Sequence, residues 1–266
     1  MKIGIIGGGV MGEAVLKSII SKKLASRQDI AVSDVSEPRR NILKKKYSIK
    51  TTSSNREAIA NAETIILAVK PQDVAHILHE IPAQLKNQLV ISIAAGISID
   101  TLCKGLNYEQ VVRAMPNTPA QVGKGMTAWT AKAGLTAENH ETARKILAAM
   151  GEEYFFADEK YLDMATAISG SGPAYVFLFI ESMIDAGVHI GLPRNVAEKF
   201  VIQTITGSVE AMKKMARHPA ELKNMVTSPG GTTTEALLLL ESGGLRSLVI
   251  NAVTAAYTKA KNLGNK

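Results

Sequence analysis

The sequence is poor in cysteine and in aromatic residues, and each scarcity excludes a class of protein. The single cysteine, Cys103, cannot form an intramolecular disulfide and rules out a cysteine-cluster metal site. Aromatic residues make up 5% of the chain, which argues against a base-stacking surface for nucleic acid. No apolar run approaches the roughly 18–20 residues of a membrane span, and residues 1–6 do not resemble a signal peptide. We therefore expect a cytoplasmic protein with no membrane and no nucleic-acid partner.

The charge that is present is mostly positive. The 266 residues carry a formal net charge of +7, and the densest basic stretch covers residues 39–50. This stretch is expected to be the solvated face of a helix. The alternative, a nucleic-acid patch, is poorly supported because Tyr47 is the one aromatic residue among these charges.

The first part of the chain alternates short apolar runs with helical patterns. Alternation of this kind predicts an α/β fold, a doubly wound and mostly parallel sheet covered on both faces. Strands are predicted at 3–6, 30–33, 64–69, 89–93 and 111–115, with further short apolar segments at 126–130 and 154–157. Helices are predicted at 11–24, 37–47, 74–81, 101–106 and 137–150.

The pattern changes near Asp158, after which no strand is predicted. Helices are expected at 175–186, 194–215, 233–240 and 245–263, and several are apolar nearly all round. Such helices must be buried in a core or against a second copy of the chain. We therefore predict two domains, residues 1–158 and an all-α domain over residues 159–266.

A glycine-rich turn follows the first strand and opens the first helix. Gly7, Gly9 and Gly12 fit the pattern Gly-x-Gly-x-x-Gly, with Val10 and Met11 between the last two. In a dinucleotide-binding Rossmann domain, the three glycines make a tight turn, admit a pyrophosphate and let helix and strand pack closely. The helix N-terminus would bind the anion.

The end of the second strand leaves the choice of dinucleotide open. Asp34 stands about where an acid binds the ribose 2′-hydroxyl, which favours NADH because a carboxylate repels a 2′-phosphate. Arg39 and Arg40 open the next helix and could neutralise that phosphate instead.

Four further segments carry unusual loop sequences. They are Ala-Val-Lys-Pro at 68–71, Arg-Ala-Met-Pro-Asn-Thr-Pro at 113–119, Ser-Gly-Ser-Gly-Pro-Ala-Tyr at 169–175 and Ser-Pro-Gly-Gly-Thr-Thr-Thr-Glu at 228–235. With the glycine fingerprint, they closely resemble the pyrroline-5-carboxylate reductase family over essentially the whole chain. The resemblance implies a Rossmann domain followed by an all-α dimerisation domain, and reduction of L-1-pyrroline-5-carboxylate to L-proline. It also implies NADPH as the usual cofactor, with NADH possible.

The last of these segments is the expected substrate site. Thr232 and Glu235 are predicted to form a capping box that starts a helix, whose N-terminus can hold a small carboxylate. The resemblance implies that Ser228, Gly231, Thr232 and Thr233 grip the substrate's carboxylate, and that a second subunit's helical domain completes the site. By the same resemblance, the cofactor cleft is lined by residues from several loops, namely Asn55, Val69, Lys70, Pro71, Ala95 and Asn117.

Thr233 is the residue expected to donate a hydrogen bond or a proton to the ring nitrogen. Reduction of a C=N bond needs a hydride and one proton, and a cyclic imine is basic enough that no strong acid is required. Histidines are scattered along the chain, so no metal site is expected. Catalysis would then rest mainly on positioning.

Two alternatives differ in class. A β-hydroxyacid dehydrogenase shares the domain plan, but its catalytic lysine is missing, since no lysine follows the turn at 169–175 before Lys199. A non-enzymatic dinucleotide sensor is possible on the same fold, although the intact 228–235 loop argues against it. As partners we expect the small-molecule substrate and further copies of this chain, as a homodimer or a ring of dimers.

Overall fold

An eight-stranded sheet forms the centre of the first part of the chain. The computed structural model describes residues 1–81 and 85–263. The strands lie in the order β3-β2-β1-β4-β5-β6-β7-β8, and β7, antiparallel to β6, breaks an otherwise parallel sheet. Their bounds are β1 Ile3–Ile6, β2 Ile30–Ser33, β3 Lys50–Thr52, β4 Thr64–Leu67, β5 Leu89–Ser92, β6 Val111–Met115, β7 Gly125–Ala131 and β8 Gly151–Phe155. The predicted doubly wound, mostly parallel sheet is confirmed.

Helices cover both faces of this sheet. Alternate residues of β1 face opposite sides: Ile3 and Ile5 join the apolar cluster under α1 and α6, and Ile6 joins the cluster under α4 and α5. The helices of this part are α1 Val10–Ser21, α2 Glu37–Tyr47, α3 Asn55–Ile59, α4 Pro71–Glu80, α5 Ile99–Leu106, α6 Ala137–Ala148 and α7 Lys160–Ala165. Burial on both faces explains why the central strands read as continuous apolar runs.

Local hydrogen bonds fix where several of these helices begin. Ser36, Ser54, Ser98 and Thr136 each accept a hydrogen bond from the backbone N–H three residues on, at the start of α2, α3, α5 and α6. The predicted starts of α4 and α5 are late by two or three residues. Pro71 begins α4 because proline is tolerated in a first helical turn, where no backbone donor is needed.

The remaining helices belong mostly to a second compact unit. Contacts divide the described chain into unit 1, residues 1–173 with 255–263, and unit 2, residues 174–254. The helices are α8 Gly172–His189, α9 Arg194–Met215, α10 Pro219–Met225, α11 Thr232–Ser242 and α12 Leu245–Leu263. The domain boundary predicted after residue 158 stays a prediction, and residues 264–266 lie outside the described part.

Many large apolar side chains of unit 2 are exposed. Neither α8 nor α11 contains a buried residue, and Phe177, Leu178 and Leu239 are 63%, 64% and 74% exposed. The helical stretch Lys160–His189, which includes α7 and α8, is long and apolar enough by composition to cross a membrane. This stretch was not identified from uninterrupted apolar runs in the sequence, because small and polar residues interrupt it without lowering its mean hydropathy enough.

Candidate active site

The glycine-rich turn between β1 and α1 has the geometry that its sequence predicts. Gly7 has a φ of 98°, and a Cβ there would lie 2.5 Å from the carbonyl oxygen of Ala68. A Cβ on Gly12 would lie 2.0 Å from the carbonyl oxygen of Gly7. Two of the three glycines are thus required by backbone conformation or by close packing of helix on strand.

Gly9 is different, because the space beside it is empty. A Cβ added to Gly9 would meet no heavy atom within 4 Å. Gly9 is the N-cap of α1, and no side chain caps this helix, so backbone N–H groups of its first turn face open space. Val10 is exposed and Met11 packs against the core at the same end. A pyrophosphate fits this arrangement of open space and positive helix dipole.

The carboxylate of Asp34 is anchored to the backbone at the end of β2. One oxygen accepts a 2.8 Å hydrogen bond from the N–H of Gly8, and the other accepts a 2.8 Å hydrogen bond from the N–H of Ser36. A carboxylate has about four acceptor positions, so it retains capacity for a ligand hydroxyl.

Both arginines predicted near Asp34 are bonded to carbonyl groups. The Arg39 guanidinium donates to the carbonyl oxygens of Gly8 and Gly9 and pairs with Glu13. Arg40 donates to the carbonyl oxygens of Asp34 and of the next residue, at 2.8 and 3.0 Å.

Glu13, on α1, was not identified from the sequence. Its carboxylate accepts hydrogen bonds from Lys46 and Tyr47, each at 2.8 Å, and from Arg39. Partial burial acts to raise the pKa of Glu13, but the hydrogen bonds from these three groups outweigh it and lower the pKa to about 2. We call Glu13, Arg39, Lys46 and Tyr47 the Glu13 cluster.

The side-chain amide of Asn55, expected near the adenosine ribose, uses both its oxygen and its nitrogen in hydrogen bonds within the protein. Its Oδ1 accepts a 2.7 Å hydrogen bond from the Ser33 hydroxyl, and its Nδ2 donates to Glu80 at 2.7 Å. Ser54, rather than Asn55, caps α3. Asn55 therefore ties the end of β2 to α4, and its contact with a ribose stays a prediction.

Three loops lie at the same edge of the sheet as the glycine-rich turn, because β4, β5 and β6 run parallel to β1. Val69 and Lys70 follow β4, with Pro71 at the start of α4. Ala95 follows β5, and Asn117 follows β6. The structure thus brings the residues predicted for the cofactor cleft to one edge, where ligands of parallel α/β sheets bind.

Asn117 also connects two of the motifs recognised in the sequence. Its Nδ2 donates to the backbone and side-chain oxygens of Ser169, both at 3.2 Å, and its Oδ1 accepts from the N–H of Met126 at 2.9 Å. Ser169 lies in a π-helical turn, Thr166–Gly170. Such turns are frequent at functional sites.

A partly buried ion cluster around Arg113 was also missed. The Arg113 side chain is 7% exposed and binds Glu159 at 2.7 Å and Asp163 at 3.1 Å. Glu159 also accepts the N–H of Ile99 at 2.8 Å, so one charge network joins β6, α5 and α7. The motif around Arg113 was noted, but its acidic partners are 46 and 50 residues away along the chain.

In unit 2, no side chain caps the start of α11. Gly231 is the N-cap, with no side-chain hydrogen bond, and Gly230 has a φ of 68°. The Thr234 hydroxyl donates a 2.8 Å hydrogen bond to the carbonyl oxygen of Ser228. Within residues 1–81 and 85–263, the side chains of Thr232 and Thr233 have no hydrogen-bond partner. This helix end can therefore offer backbone N–H groups and two hydroxyls to a small anion.

The predicted capping box is wrong. It required Thr232 as the N-cap and Glu235 as its reciprocal partner, but α11 begins at Thr232 itself. The N-cap is Gly231, which has no side chain to accept the helix N–H groups. A Cβ at Gly231 would lie 2.5 Å from the Ser228 hydroxyl, which would have to rotate away, and 3.1 Å from the Ser228 carbonyl oxygen.

Among residues 1–81 and 85–263, no group of three or more His, Cys, Asp or Glu side chains is placed to hold a metal ion. The candidate groups are thus the glycine-rich turn and its neighbours in unit 1, and the start of α11 in unit 2.

Comparison with known proteins is consistent over the whole chain. A family model for pyrroline-5-carboxylate reductase dimerisation matches residues 159–263, and one for coenzyme F420-dependent NADP oxidoreductase matches residues 2–96. Pyrroline-5-carboxylate reductase of Synechocystis sp. is 43% identical over 100% of this chain and 99% of its own length. That of Escherichia coli is 41% identical over 98% of each chain. A crystal structure of pyrroline carboxylate reductase of Plasmodium falciparum with NADP bound has a TM-score of 0.91 at 36% identity, covering 99% of this chain and 98% of that one.

Proposed function

Because this chain belongs to the pyrroline-5-carboxylate reductase family, and reduces L-1-pyrroline-5-carboxylate to L-proline with NAD(P)H in the last step of proline biosynthesis, we propose that the start of α11 holds the substrate. The observation that carries this proposal is the open helix end at Gly231, with two unpartnered threonine hydroxyls in its first turn. The substrate's carboxylate accepts hydrogen bonds from these N–H groups and from the Ser228 and Thr232 hydroxyls.

Thr233 orients the ring nitrogen. Its hydroxyl accepts a hydrogen bond from the N–H of the protonated imine. Hydride addition to the carbon leaves a lone pair on the nitrogen, and the same hydroxyl can then donate a hydrogen bond to the amine. A threonine hydroxyl is too weak an acid to be the principal proton source at neutral pH, so the imine takes up its proton from water and accepts the hydride in its protonated form. Fixing the ring at both its carboxylate and its nitrogen restricts the substrate to one pose, which lowers the entropic barrier to reaction.

The cofactor lies at the carboxyl edge of the sheet in unit 1. The open space beside Gly9 and the uncapped start of α1 fit its pyrophosphate, and Asp34 fits a ribose hydroxyl. Val69, Ala95 and Asn117 line the further part of this edge. When bound, NAD(P)H supplies the hydride that reduces the carbon of the C=N bond.

The chain self-associates through its dimerisation domain. We propose that the helical unit of a second protomer completes each site, and that dimers assemble further into a ring. The exposed apolar faces of α8, α9 and α11 support a large contact between copies. Contact with a second protomer would bury the apolar side chains of Lys160–His189 without a membrane. We therefore propose a cytoplasmic location.

The role of Thr233 is tested by steady-state kinetics of Thr233→Ala. We expect the kcat to fall at least about tenfold, while the affinity for NADPH and NADH is unchanged, because the lost hydrogen bond concerns the substrate alone. Thr233→Ser keeps the hydroxyl and should restore most of the rate. Thr227→Ala is the matched control, since the Thr227 hydroxyl is bonded to the carbonyl oxygen of Lys223. Wild-type turnover in Thr233→Ala would remove Thr233 from the mechanism.

A further inference from the structure

The groups at the end of β2 bear on which dinucleotide this chain prefers. NADH and NADPH differ only at the ribose 2′ position, and in a Rossmann domain that position lies at the end of the second strand. Here it is occupied by Asp34, whose carboxylate is held by two backbone N–H groups at 2.8 Å. Because both bonds fix the carboxylate, it cannot swing away from an incoming phosphate without breaking them.

The two arginines at the start of α2 are both bonded to backbone carbonyl oxygens. A 2′-phosphate is usually recognised by an arginine close to this point. Arg39 is turned toward the glycine-rich turn, where it donates to the carbonyl oxygens of Gly8 and Gly9 and pairs with Glu13. Arg40 is bonded to two carbonyl oxygens at the end of β2.

Within the Glu13 cluster, the ion pair with Glu13 holds Arg39 in this position. The Glu13 carboxylate is 19% exposed and faces three donors, which are Arg39, Lys46 and Tyr47. It remains ionised throughout the physiological range, since its pKa is lowered to about 2. A phosphate that recruited Arg39 would have to take it from this ionised, partly buried partner.

We infer that this chain selects NADH over NADPH, with Asp34 accepting the ribose 2′-hydroxyl and Glu13 withholding Arg39 from a 2′-phosphate. The inference departs from the NADPH preference that the family resemblance implies. It rests on the proposed function only in placing the dinucleotide at the glycine-rich turn of unit 1.

Binding of the adenosine half alone tests the inference without any turnover. Calorimetric titration of the full-length protein with ADP-ribose and with 2′-phospho-ADP-ribose measures the two affinities. We expect wild-type protein to bind ADP-ribose at least about tenfold more tightly, as one unpaired charge contact would produce. Tighter binding of the 2′-phosphorylated ligand by the wild-type protein overturns the inference directly.

Two variants locate the cause. Asp34→Asn removes the charge and should reduce the ratio of the two affinities at least about tenfold. Glu13→Gln releases Arg39 and should strengthen binding of 2′-phospho-ADP-ribose about three- to tenfold, with ADP-ribose little affected. Asp100→Asn and Glu141→Gln are matched controls, because these acids pair with Lys132 and with Arg144 elsewhere. Thermal melting shows whether each variant is folded.

The binding measurements test the dinucleotide preference separately from the proposed reductase activity. An unchanged ratio in both folded variants assigns selectivity to other residues and overturns the inference, even if the protein reduces pyrroline-5-carboxylate. Conversely, absence of reduction with either dinucleotide counts against the proposed function, and the binding ratio still decides the inference. The ratio of kcat/KM for NADH and NADPH should follow the binding ratio in every variant.

Discussion

Replacing Glu13 by glutamine should destabilise the protein in a way that depends on pH. Glutamine has nearly the shape of a protonated glutamate, so the substitution removes the charge and little else. The pKa of Glu13 falls from its ordinary value of 4.5 to about 2 in the folded protein. At about 1.36 kcal/mol for each tenfold change in the acid constant, this corresponds to an upper limit of about 3 kcal/mol.

The measured value should be smaller than that limit. Lys46, one of the three partners, is 59% exposed, so solvent and salt weaken its share of the interaction. We therefore expect Glu13→Gln to lower the free energy of unfolding by about 1–2 kcal/mol at neutral pH. A carboxylate whose pKa is lowered by folding stabilises the protein above pH 4.5, and this stabilisation disappears as the pH falls through about 2.

The assay is urea unfolding of both proteins between pH 2 and pH 7, followed by fluorescence of the single, fully buried Trp129. Protein concentration is held constant because self-association contributes to apparent stability. Other carboxylates titrate in both proteins, so the difference between them reports Glu13. A difference that stays constant down to pH 2 would refute the reasoning. Glu141→Gln, at an acid whose side chain is 45% exposed, should give a smaller difference at neutral pH because solvent weakens its ion pairs.

Other perturbations probe the fold and the assembly. Arg113→Met should lower the free energy of unfolding by about 3 kcal/mol, because it leaves two partly buried carboxylates without their cation; urea unfolding that matches wild type would contradict the ion cluster. Gly9→Ala should leave thermal stability unchanged but weaken NAD(P)H binding, whereas Gly12→Ala should reduce both, since only Gly12 is in close contact with the backbone. Equal effects of the two alanines on stability would count against this difference. Leu239→Glu should dissociate the oligomer in light scattering, because a charge would replace an exposed apolar side chain on α11; an unchanged mass would exclude this face from the interface.

The sequence allowed prediction of those features that depend on local chemistry. The glycine-rich turn was predictable because two of its glycines answer a local steric need: the φ of Gly7 and the packing of Gly12 are both as expected. The alternation of apolar runs and amphipathic segments was enough to predict the sheet, since parallel strands buried on both faces have few other sequence patterns. The short strand β3 was missed because Lys50–Thr52 contains no apolar residue.

Features that depend on distant contacts were not predictable in the same way. Glu13 meets Lys46 and Tyr47 only because α1 and α2 are brought together by the sheet, and nothing in its local sequence marks it. Arg39 and Asp34 were recognised as candidates, but their hydrogen-bond partners on the glycine-rich turn were not. The capping box failed by a single residue, because the tight turn at Gly230 starts α11 one position earlier than the threonine pattern suggests.

The most direct test of the account is a crystal structure of the protein with L-proline and oxidised dinucleotide. We expect the proline carboxylate at the N-terminus of α11, bonded to the backbone N–H groups of Thr232 and Thr233, with the ring nitrogen within hydrogen-bond distance of the Thr233 hydroxyl. Proline bound away from the first turn of α11, or with its nitrogen turned from Thr233, would contradict it.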